Sequence, residues 1–149
     1  MSKPVMPKRV MPKRIMIVED EALVALTLED VLTEAGYIVC GIADRPTEAL
    51  EIARVMQPDV AIVDVRLADG GDGIVLAELL GAAMPVLVLF ATGNPAEVRA
   101  RATVGHGCLS KPFQAEALLA ALETVHSGGT DAIPGFFRLP LGLSPGLGR

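Results

Sequence analysis

Four short, mainly apolar runs in this chain are each followed by a polar residue of a kind that takes part in chemistry. The runs are 15–18, followed by Glu19 and Asp20, then 60–63 before Asp64, 86–91 before Thr92, and 108–110 before Lys111. Continuous apolar runs of this length are typical of strands that helices bury on both faces. Because the carboxyl ends of parallel strands meet at one edge of a sheet, the pattern predicts a single site that carries carboxylates, a hydroxyl and an amine.

Segments with helical periodicity alternate with strand-like runs along the chain. The predicted strands are 14–18, 37–42, 60–63, 85–90 and 108–110; the predicted helices run from 22 to a stop at Gly36, from Pro46 to 56, through 76–80, over 95–104 and over 114–126. Five such βα units in series predict an α/β fold, a flavodoxin-like doubly wound domain with a five-stranded parallel sheet in the order 2-1-3-4-5. Ligands of such sheets bind at the switch point between strands one and three, where Glu19, Asp20 and Asp64 fall.

Composition restricts the class of protein. The 149 residues, of which 51% are hydrophobic, suffice for the core of one domain. The net charge of -5 argues against direct nucleic-acid binding. No apolar stretch reaches the roughly 18 residues of a membrane span, and the residues before Ile15 hold no apolar block for a secretory signal. We therefore expect a cytoplasmic chain that binds neither nucleic acid nor membrane. Cys40 and Cys108 lie in strands predicted at opposite edges of the sheet, so no disulfide is expected.

The chain divides into three segments. Residues 1–13 are rich in proline and basic residues, with the pentapeptide Val-Met-Pro-Lys-Arg at 5–9 and again at 10–14, which predicts a flexible basic arm. The α/β domain spans 14–127. Residues 128–149 form a Gly/Pro-rich tail without helical or strand periodicity, for which two alternatives remain open. Either the tail is disordered, or its apolar side chains pack on a groove of this or a partner molecule; those side chains are Phe136, Phe137, Leu139 and Leu141.

The acidic residues at the switch point indicate a cation site. Three carboxylates in one mouth repel each other, and such an arrangement is usually maintained because a cation neutralises it. Oxygen ligands in a partly open site favour Mg2+, which keeps several waters and takes few protein ligands. A P-loop or dinucleotide enzyme is the rival for this sheet. It would need a glycine-rich turn after the first strand, whereas this turn reads Glu-Asp-Glu-Ala over 19–22.

In order and spacing, these polar residues resemble the signature of the bacterial response regulator receiver domain, the CheY-like family, over roughly 14–127. The resemblance implies that Asp20, Asp64 and the backbone carbonyl of Arg66 bind Mg2+ directly and that Glu19 holds it through water. It makes Asp64 the acceptor of a phosphoryl group from a histidine kinase or a histidine phosphotransfer protein. Thr92 and Lys111 would then contact the phosphoryl oxygens. Lys111 precedes Pro112, and in the family this peptide bond is usually cis.

Three further positions tune this expectation. In receivers, the residues two beyond the phosphoacceptor and two beyond the threonine influence self-dephosphorylation, and here they are Arg66 and Asn94. A bulky Arg66 is expected to shield the acyl phosphate. Most receivers carry Tyr or Phe three residues before the lysine, but here that residue is Cys108. The strand over Phe90 to Gly93 resembles the FATGUY subgroup, which lacks that aromatic and takes part in general stress signalling, and a HWE-type histidine kinase is the donor this subgroup implies.

Two functions from different classes follow from the sequence. No output domain is predicted after Ser127. The leading hypothesis is therefore a stand-alone response regulator, a switch rather than an enzyme, that acts by protein-protein interaction or drains phosphate from a relay. The alternative is a phosphorylation-independent adaptor that binds a histidine kinase through helix 4, strand 5 and helix 5. The expected oligomeric state is a monomer or a weak homodimer.

Overall fold

Strands and helices alternate along the part of the chain that the structure, a computed structural model, describes: residues 13–128 and 132–139. The strands are β1 Arg14–Val18, β2 Ile38–Ala43, β3 Val60–Val63, β4 Leu87–Thr92, β5 Gly107–Ser110 and β6 Phe136–Arg138. The α-helices are α1 Ala22–Glu34, α2 Pro46–Met56, α3 Gly73–Ala83, α4 Pro95–Arg101 and α5 Ala115–Ser127. A short 3-10 helix, Ala68–Gly70, lies between β3 and α3.

These strands form one sheet in the order β2-β1-β3-β4-β5-β6. The first five strands are parallel and their order is the predicted one, so the doubly wound α/β fold is confirmed. Because β1 lies between β2 and β3, the chain winds in opposite directions on its two sides, and the switch point falls at the carboxyl ends of β1 and β3.

The sheet has an apolar layer on each face. Successive side chains of a strand point to opposite faces, so Met16 and Val18 pack with α2, α3 and α4, whereas Ile15 and Ile17 pack with α1 and α5. All four side chains are buried. Burial of each such side chain contributes about 1.5–3 kcal/mol. This two-sided burial is the reason for the continuous apolar runs, and it holds the strand ends rigidly where the polar residues follow.

A sixth strand, β6, follows Ser127 in a segment whose sequence shows no strand periodicity, and it adds to the predicted five-stranded sheet. Phe136–Arg138 pairs antiparallel with β5, with Phe137 opposite Cys108. A strand of three residues is too short to show a period in the sequence, and its position is set by the edge of β5 that it covers. Consequently β5 is not an edge strand, although the strand that contains Cys108 was expected at one edge of the sheet. Cys40 and Cys108 are both free thiols.

Several element boundaries differ from the predicted ones. β4 begins and ends two residues later than expected, so Thr92 is the last residue of the strand instead of lying beyond its end. Pro85 stays outside the strand, consistent with its lack of an N–H for the ladder. Helix α4 ends at Arg101 because the backbone of Ala102 is extended.

Parts of the predicted arm and tail, residues 1–12, 129–131 and 140–149, lie outside the described residues. Within the described residues, the helices are all too short or too polar to cross a bilayer.

Candidate functional site

The two central strands end side by side on carboxylates. The N–H of Asp64 donates to the carbonyl of Val18 at 3.0 Å, and the N–H of Glu19 donates to the carbonyl of Ala43 at 2.9 Å. Oxygen atoms of Glu19, Asp20 and Asp64 all lie within 4.8 Å of one another. Glu19 is 3% exposed and Asp64 is 8% exposed, whereas Asp20 is open to solvent. The structure therefore brings the three predicted acids together at the switch point.

Asp64 is held in one orientation by two hydrogen bonds. Its Oδ1 accepts the N–H of Val65 at 2.6 Å, and its Oδ2 accepts the ammonium of Lys111 at 2.8 Å. The main chain of Asp64 packs directly against Gly73, the first residue of α3, where a Cβ would overlap the Asp64 carbonyl oxygen. The carboxylate is thus fixed from both its side chain and its backbone.

Lys111 reaches this cluster from the end of β5. Its Nζ donates to Glu19 Oε1 and to Asp64 Oδ2, each at 2.8 Å. Its peptide bond to Pro112 is cis, as predicted. Burial alone would lower the pKa of Lys111, but the hydrogen bonds to the two carboxylates outweigh that effect and raise the pKa above its ordinary value. Lys111 is therefore a permanent cation beside Asp64.

Thr92 lies at the same edge of the sheet. It is fully buried, and its backbone carbonyl accepts the N–H of Lys111 at 2.9 Å. Its Oγ1 accepts the N–H of Asn94 at 3.0 Å, so the hydroxyl turns toward the loop that opens α4. Since Oγ1 acts as an acceptor in this bond, its own proton remains available for another oxygen.

The charges at the site fit a divalent cation. The site holds three carboxylates and the ammonium of Lys111, which donates hydrogen bonds to Glu19 and Asp64 but not to Asp20. Burial raises the pKa of Glu19 above its ordinary value, and the hydrogen bond from Lys111 opposes part of that rise. A dication bound among these oxygens would balance the remaining charge, and an all-oxygen donor set in a partly open site is suited to Mg2+.

Arg66, two residues beyond Asp64, points toward α4. Its side chain is 67% exposed, and its guanidinium pairs with Glu97 of α4 at 2.9 Å. Glu97 also pairs with Arg101 at 2.6 Å, and Arg101 pairs in turn with Asp72, which caps α3. These ion pairs connect the loop between β3 and α3 to α4. The i,i+4 spacing of Glu97 and Arg101 is visible in the sequence, but their connection to Arg66 and Asp72 is not.

Comparison with known proteins decides the family. Residues 15–123 match the response regulator receiver domain. The chain belongs to this family. It is 37% identical over 111 residues to the transcriptional regulatory protein PdtaR of Mycobacterium tuberculosis. This match covers 72% of this chain and 54% of PdtaR. The chain is 32% identical over 113 residues to the chemotaxis protein CheY of Thermotoga maritima. This match covers 74% of this chain and 94% of CheY.

A solved structure agrees with this assignment. The receiver domain of the response regulator PhyR from Erythrobacter litoralis superposes with a TM-score of 0.71 at 26% identity, covering 82% of this chain and 97% of that one. The chain spans about half the length of PdtaR. What these comparisons establish is the receiver domain and its fold.

The resemblance also singles out Asn94 and Cys108. Asn94 is exposed at the start of α4 and contacts Thr92 only through its backbone N–H among the hydrogen bonds of the described residues. Cys108 is fully buried, and burial raises the pKa of its thiol to about 12. The thiol therefore stays protonated and apolar. Phe137, one of the tail side chains that the sequence offers for packing, lies opposite Cys108 in the neighbouring strand, a pairing that the sequence does not predict.

Removal of the site ammonium should reveal the charge that it balances. We expect Lys111→Met to lower the free energy of unfolding by about 3 kcal/mol in EDTA, because buried Glu19 and Asp64 then lack a cation. The loss should shrink at saturating Mg2+, since a bound dication would compensate. Urea unfolding of both proteins, with Mg2+ and with EDTA, measures this difference. Lys13→Met, which alters a lysine outside the site, is the matched control. An equal loss in both buffers would contradict the expected exchange of one cation for another.

Proposed function

We propose that this receiver accepts a phosphoryl group onto Asp64 from the phosphohistidine of a histidine kinase or a histidine phosphotransfer protein, in a Mg2+-dependent reaction. The observation that carries the proposal is the position of Asp64 Oδ2, 2.8 Å from the Lys111 ammonium and within a cluster of acids that fits a dication. A carboxylate oxygen attacks phosphorus, the P–N bond breaks, and its electron pair stays with the imidazole nitrogen. The product is an acyl phosphate on Asp64.

The chain's own residues have distinct parts in this transfer. Asp20, Asp64 and the Arg66 carbonyl would hold Mg2+ directly and Glu19 through water, and the ion would neutralise charge on the transferring phosphoryl oxygens. Lys111 donates a hydrogen bond to one of those oxygens from its place beside the acceptor. The proton of the Thr92 hydroxyl is free to bind another oxygen once the side chain turns from Asn94 toward the site.

An apolar surface beside the site supports a protein as the phosphodonor. Leu23 of α1 is 79% exposed and Leu26 is 52% exposed. Next to them, a cavity is lined by α1 and by the loop that carries Lys111; its lining includes Leu23, Val24, Thr27, Pro112 and Phe113. Exposed leucines next to a reactive group are typical of a protein docking surface. The donor class we propose is a histidine kinase, of the HWE type if the FATGUY resemblance holds.

The signal then passes to a protein partner, or the phosphoryl group drains from a relay, in the cytoplasm and in stress signalling. The adaptor alternative is less favoured because β6 covers the edge of β5, between α4 and α5, that a constitutive partner would need. An adaptor also has no need of the acid cluster or Lys111. If the adaptor hypothesis were right, partner binding would survive in an Asp64→Ala protein.

The proposal is tested by the intact mass of the protein after incubation with acetyl phosphate. We expect one phosphoryl adduct in Mg2+ and none in EDTA. Absence of an adduct from both acetyl phosphate and a phosphorylated histidine kinase would overturn the proposal.

Arg66 should set the lifetime of the acyl phosphate. Arg66 follows Asp64 by two residues and pairs with Glu97 of α4. We infer that its bulk and charge hinder the approach of water to the acyl phosphate. We expect Arg66→Ala to lose phosphate about threefold faster, a barrier lower by about 0.7 kcal/mol. The measurement is the decay of the adduct after removal of the donor, with Arg54→Ala on α2 as the control. Decay as slow as that of the wild type would remove this role.

A further inference from the structure

Strand β6 contacts residues that are adjacent to residues of the candidate site. It pairs with β5 through Phe136–Arg138, and the N–H of Leu139 extends the contact by donating to the carbonyl of His106 at 3.3 Å. Phe136 packs with the α5 side of the sheet and Phe137 with the α4 side. Ile133 and Leu139 are buried at either end of the segment. The segment is thus bound to the domain along its whole described length.

The first route to the site runs through β5. The N–H of Ser110 donates to the carbonyl of Gly135 at 2.8 Å. Ser110 precedes Lys111 in the chain and lies opposite Thr92 in the sheet. A displacement of Lys111 or Thr92 toward an occupant of the site therefore acts on the residue that holds the start of β6.

The second route runs through α4. Thr92 Oγ1 accepts the N–H of Asn94, which immediately precedes the first residue of α4. One turn further along this helix, the guanidinium of Arg99 lies 3.7 Å from the centroid of the Phe137 ring. The same helix face and β6 line one groove, which includes Pro95. Helix α4 is therefore linked to Thr92 at its start and contacts β6 one turn further along, through Arg99.

We propose that β6 is a latch over the edge of β5 that is released when Asp64 carries a phosphoryl group. The inference rests on the proposed function. When Thr92 turns to donate to a phosphoryl oxygen, the N–H of Asn94 loses its acceptor, and the start of α4 must move to satisfy it. That movement shifts Arg99 against Phe137, while the reorientation of Lys111 acts on the hydrogen bond between Ser110 and Gly135.

The size of β6 suits a reversible contact. A strand of three residues is marginal on its own, so its attachment depends on the two phenylalanines and a few hydrogen bonds. Release would uncover the N–H and C=O groups of β5, which become a free sheet edge for a partner. By linkage, occupancy of Asp64 favours release by the same factor by which release favours occupancy, and such factors typically lie between about 5-fold and 150-fold.

Amide hydrogen exchange with and without beryllofluoride and Mg2+ tests the latch in the full chain. Beryllofluoride forms a tetrahedral adduct on a carboxylate oxygen, and intact mass or fluorine NMR reports whether the adduct has formed. We expect exchange at the Ser110 and Leu139 amides to become at least about fivefold faster in the adduct. The Asp59 amide, which donates to Arg14 far from the site, should show no such acceleration. An adduct that leaves all of these rates unchanged would overturn the latch alone.

A pair of arginine variants tests the same contact from the other side. Arg99→Gln removes the guanidinium from Phe137 without cutting into the core, and Arg54→Gln on α2 is the matched control. We expect Arg99→Gln to speed exchange at Ser110 and Leu139 about threefold in the free protein. It should tighten the apparent beryllofluoride affinity in the same proportion, because more of the chain is then in the binding-competent state.

The outcomes separate the two proposals. Faster exchange in Arg99→Gln without tighter beryllofluoride binding would show that β6 opens independently of the site and would overturn the latch. Unchanged exchange in Arg99→Gln would remove the route through α4. Failure of the wild-type protein to form an adduct with beryllofluoride, with acetyl phosphate and with a phosphorylated histidine kinase would overturn the proposed function, and the latch with it.

Discussion

Asp64→Ala should abolish the phosphoryl adduct that the wild type acquires from acetyl phosphate in Mg2+, a loss of at least about 100-fold in rate. The neighbouring carboxylates cannot replace it. Glu19 is 3% exposed, and its oxygens already accept the Lys111 ammonium and the N–H of Glu21. Asp20 is exposed but is not among the hydrogen-bond partners of Lys111. Glu19 and Asp64 both contact the ammonium at 2.8 Å, and Asp64, at 8% exposed against 3% for Glu19, is the more open of the two to a donor.

The measurement is intact mass over time, with Asp20→Ala as the matched control. Asp20→Ala removes a carboxylate from the cation site and leaves the acceptor in place, so it should still form the adduct but need more Mg2+. Circular dichroism would check that both variants fold. We expect Asp64→Ala to fold normally, because the substitution removes one of three mutually repelling charges. An adduct of wild-type yield in Asp64→Ala would identify another acceptor and contradict the proposed chemistry.

The sequence was sufficient to place the acids because burial and topology act together. A strand such as Val60–Val63, buried on both faces, leaves a continuous apolar run, and the residue after it must face the edge of the sheet. In a parallel sheet the carboxyl ends of all strands lie at the same edge, so Asp64 and Glu19 meet although they are 45 positions apart in the chain. The cis bond at Lys111 was foreseen only through the family resemblance, which the family match supports.

The remainder of the site depends on contacts that have no local signal. The family resemblance singles out Arg66, but only the folded chain shows that its guanidinium pairs with Glu97 of α4. β6 was missed for a related reason. Its three residues, two of them adjacent phenylalanines, are too few to show a strand period, and the edge with which they pair is formed by residues 107–110, about 30 positions earlier in the chain.

Cys108, which departs from the aromatic residue usual in the family, has an aromatic residue opposite it in each neighbouring strand. The position is small and apolar, and in the sheet it lies between Phe90 of β4 and Phe137 of β6. Phe137 occupies the α4 side of the sheet beside this small residue, under the guanidinium of Arg99. An aromatic ring is therefore present on this face, but it belongs to the strand that we propose as the latch.

Gly73→Ala should lower the free energy of unfolding by at least about 3 kcal/mol. Gly73 begins α3, and its N–H donates to the carbonyl of Val65 at 2.7 Å. A Cβ there would overlap the carbonyl oxygen of Asp64 and press on Val63. Backbone atoms cannot turn aside as a flexible side chain can, so either α3 or the end of β3 must move. The constraint is close approach to the backbone of Asp64, since the backbone of Gly73 is not in the left-handed region.

Gly81→Ala on the same helix separates this effect from ordinary helix propensity. A Cβ at Gly81 meets nothing within 4 Å, so this variant should gain about 0.5–1 kcal/mol. Urea unfolding of both variants gives the stabilities, and the acetyl phosphate assay at a temperature where Gly73→Ala remains folded gives the chemistry. We expect Gly73→Ala to phosphorylate more slowly than wild type there, because the displaced Asp64 no longer lies 2.8 Å from the Lys111 ammonium. If Gly73→Ala were as stable and as reactive as wild type, the packing of α3 on Asp64 would not be what positions the acceptor.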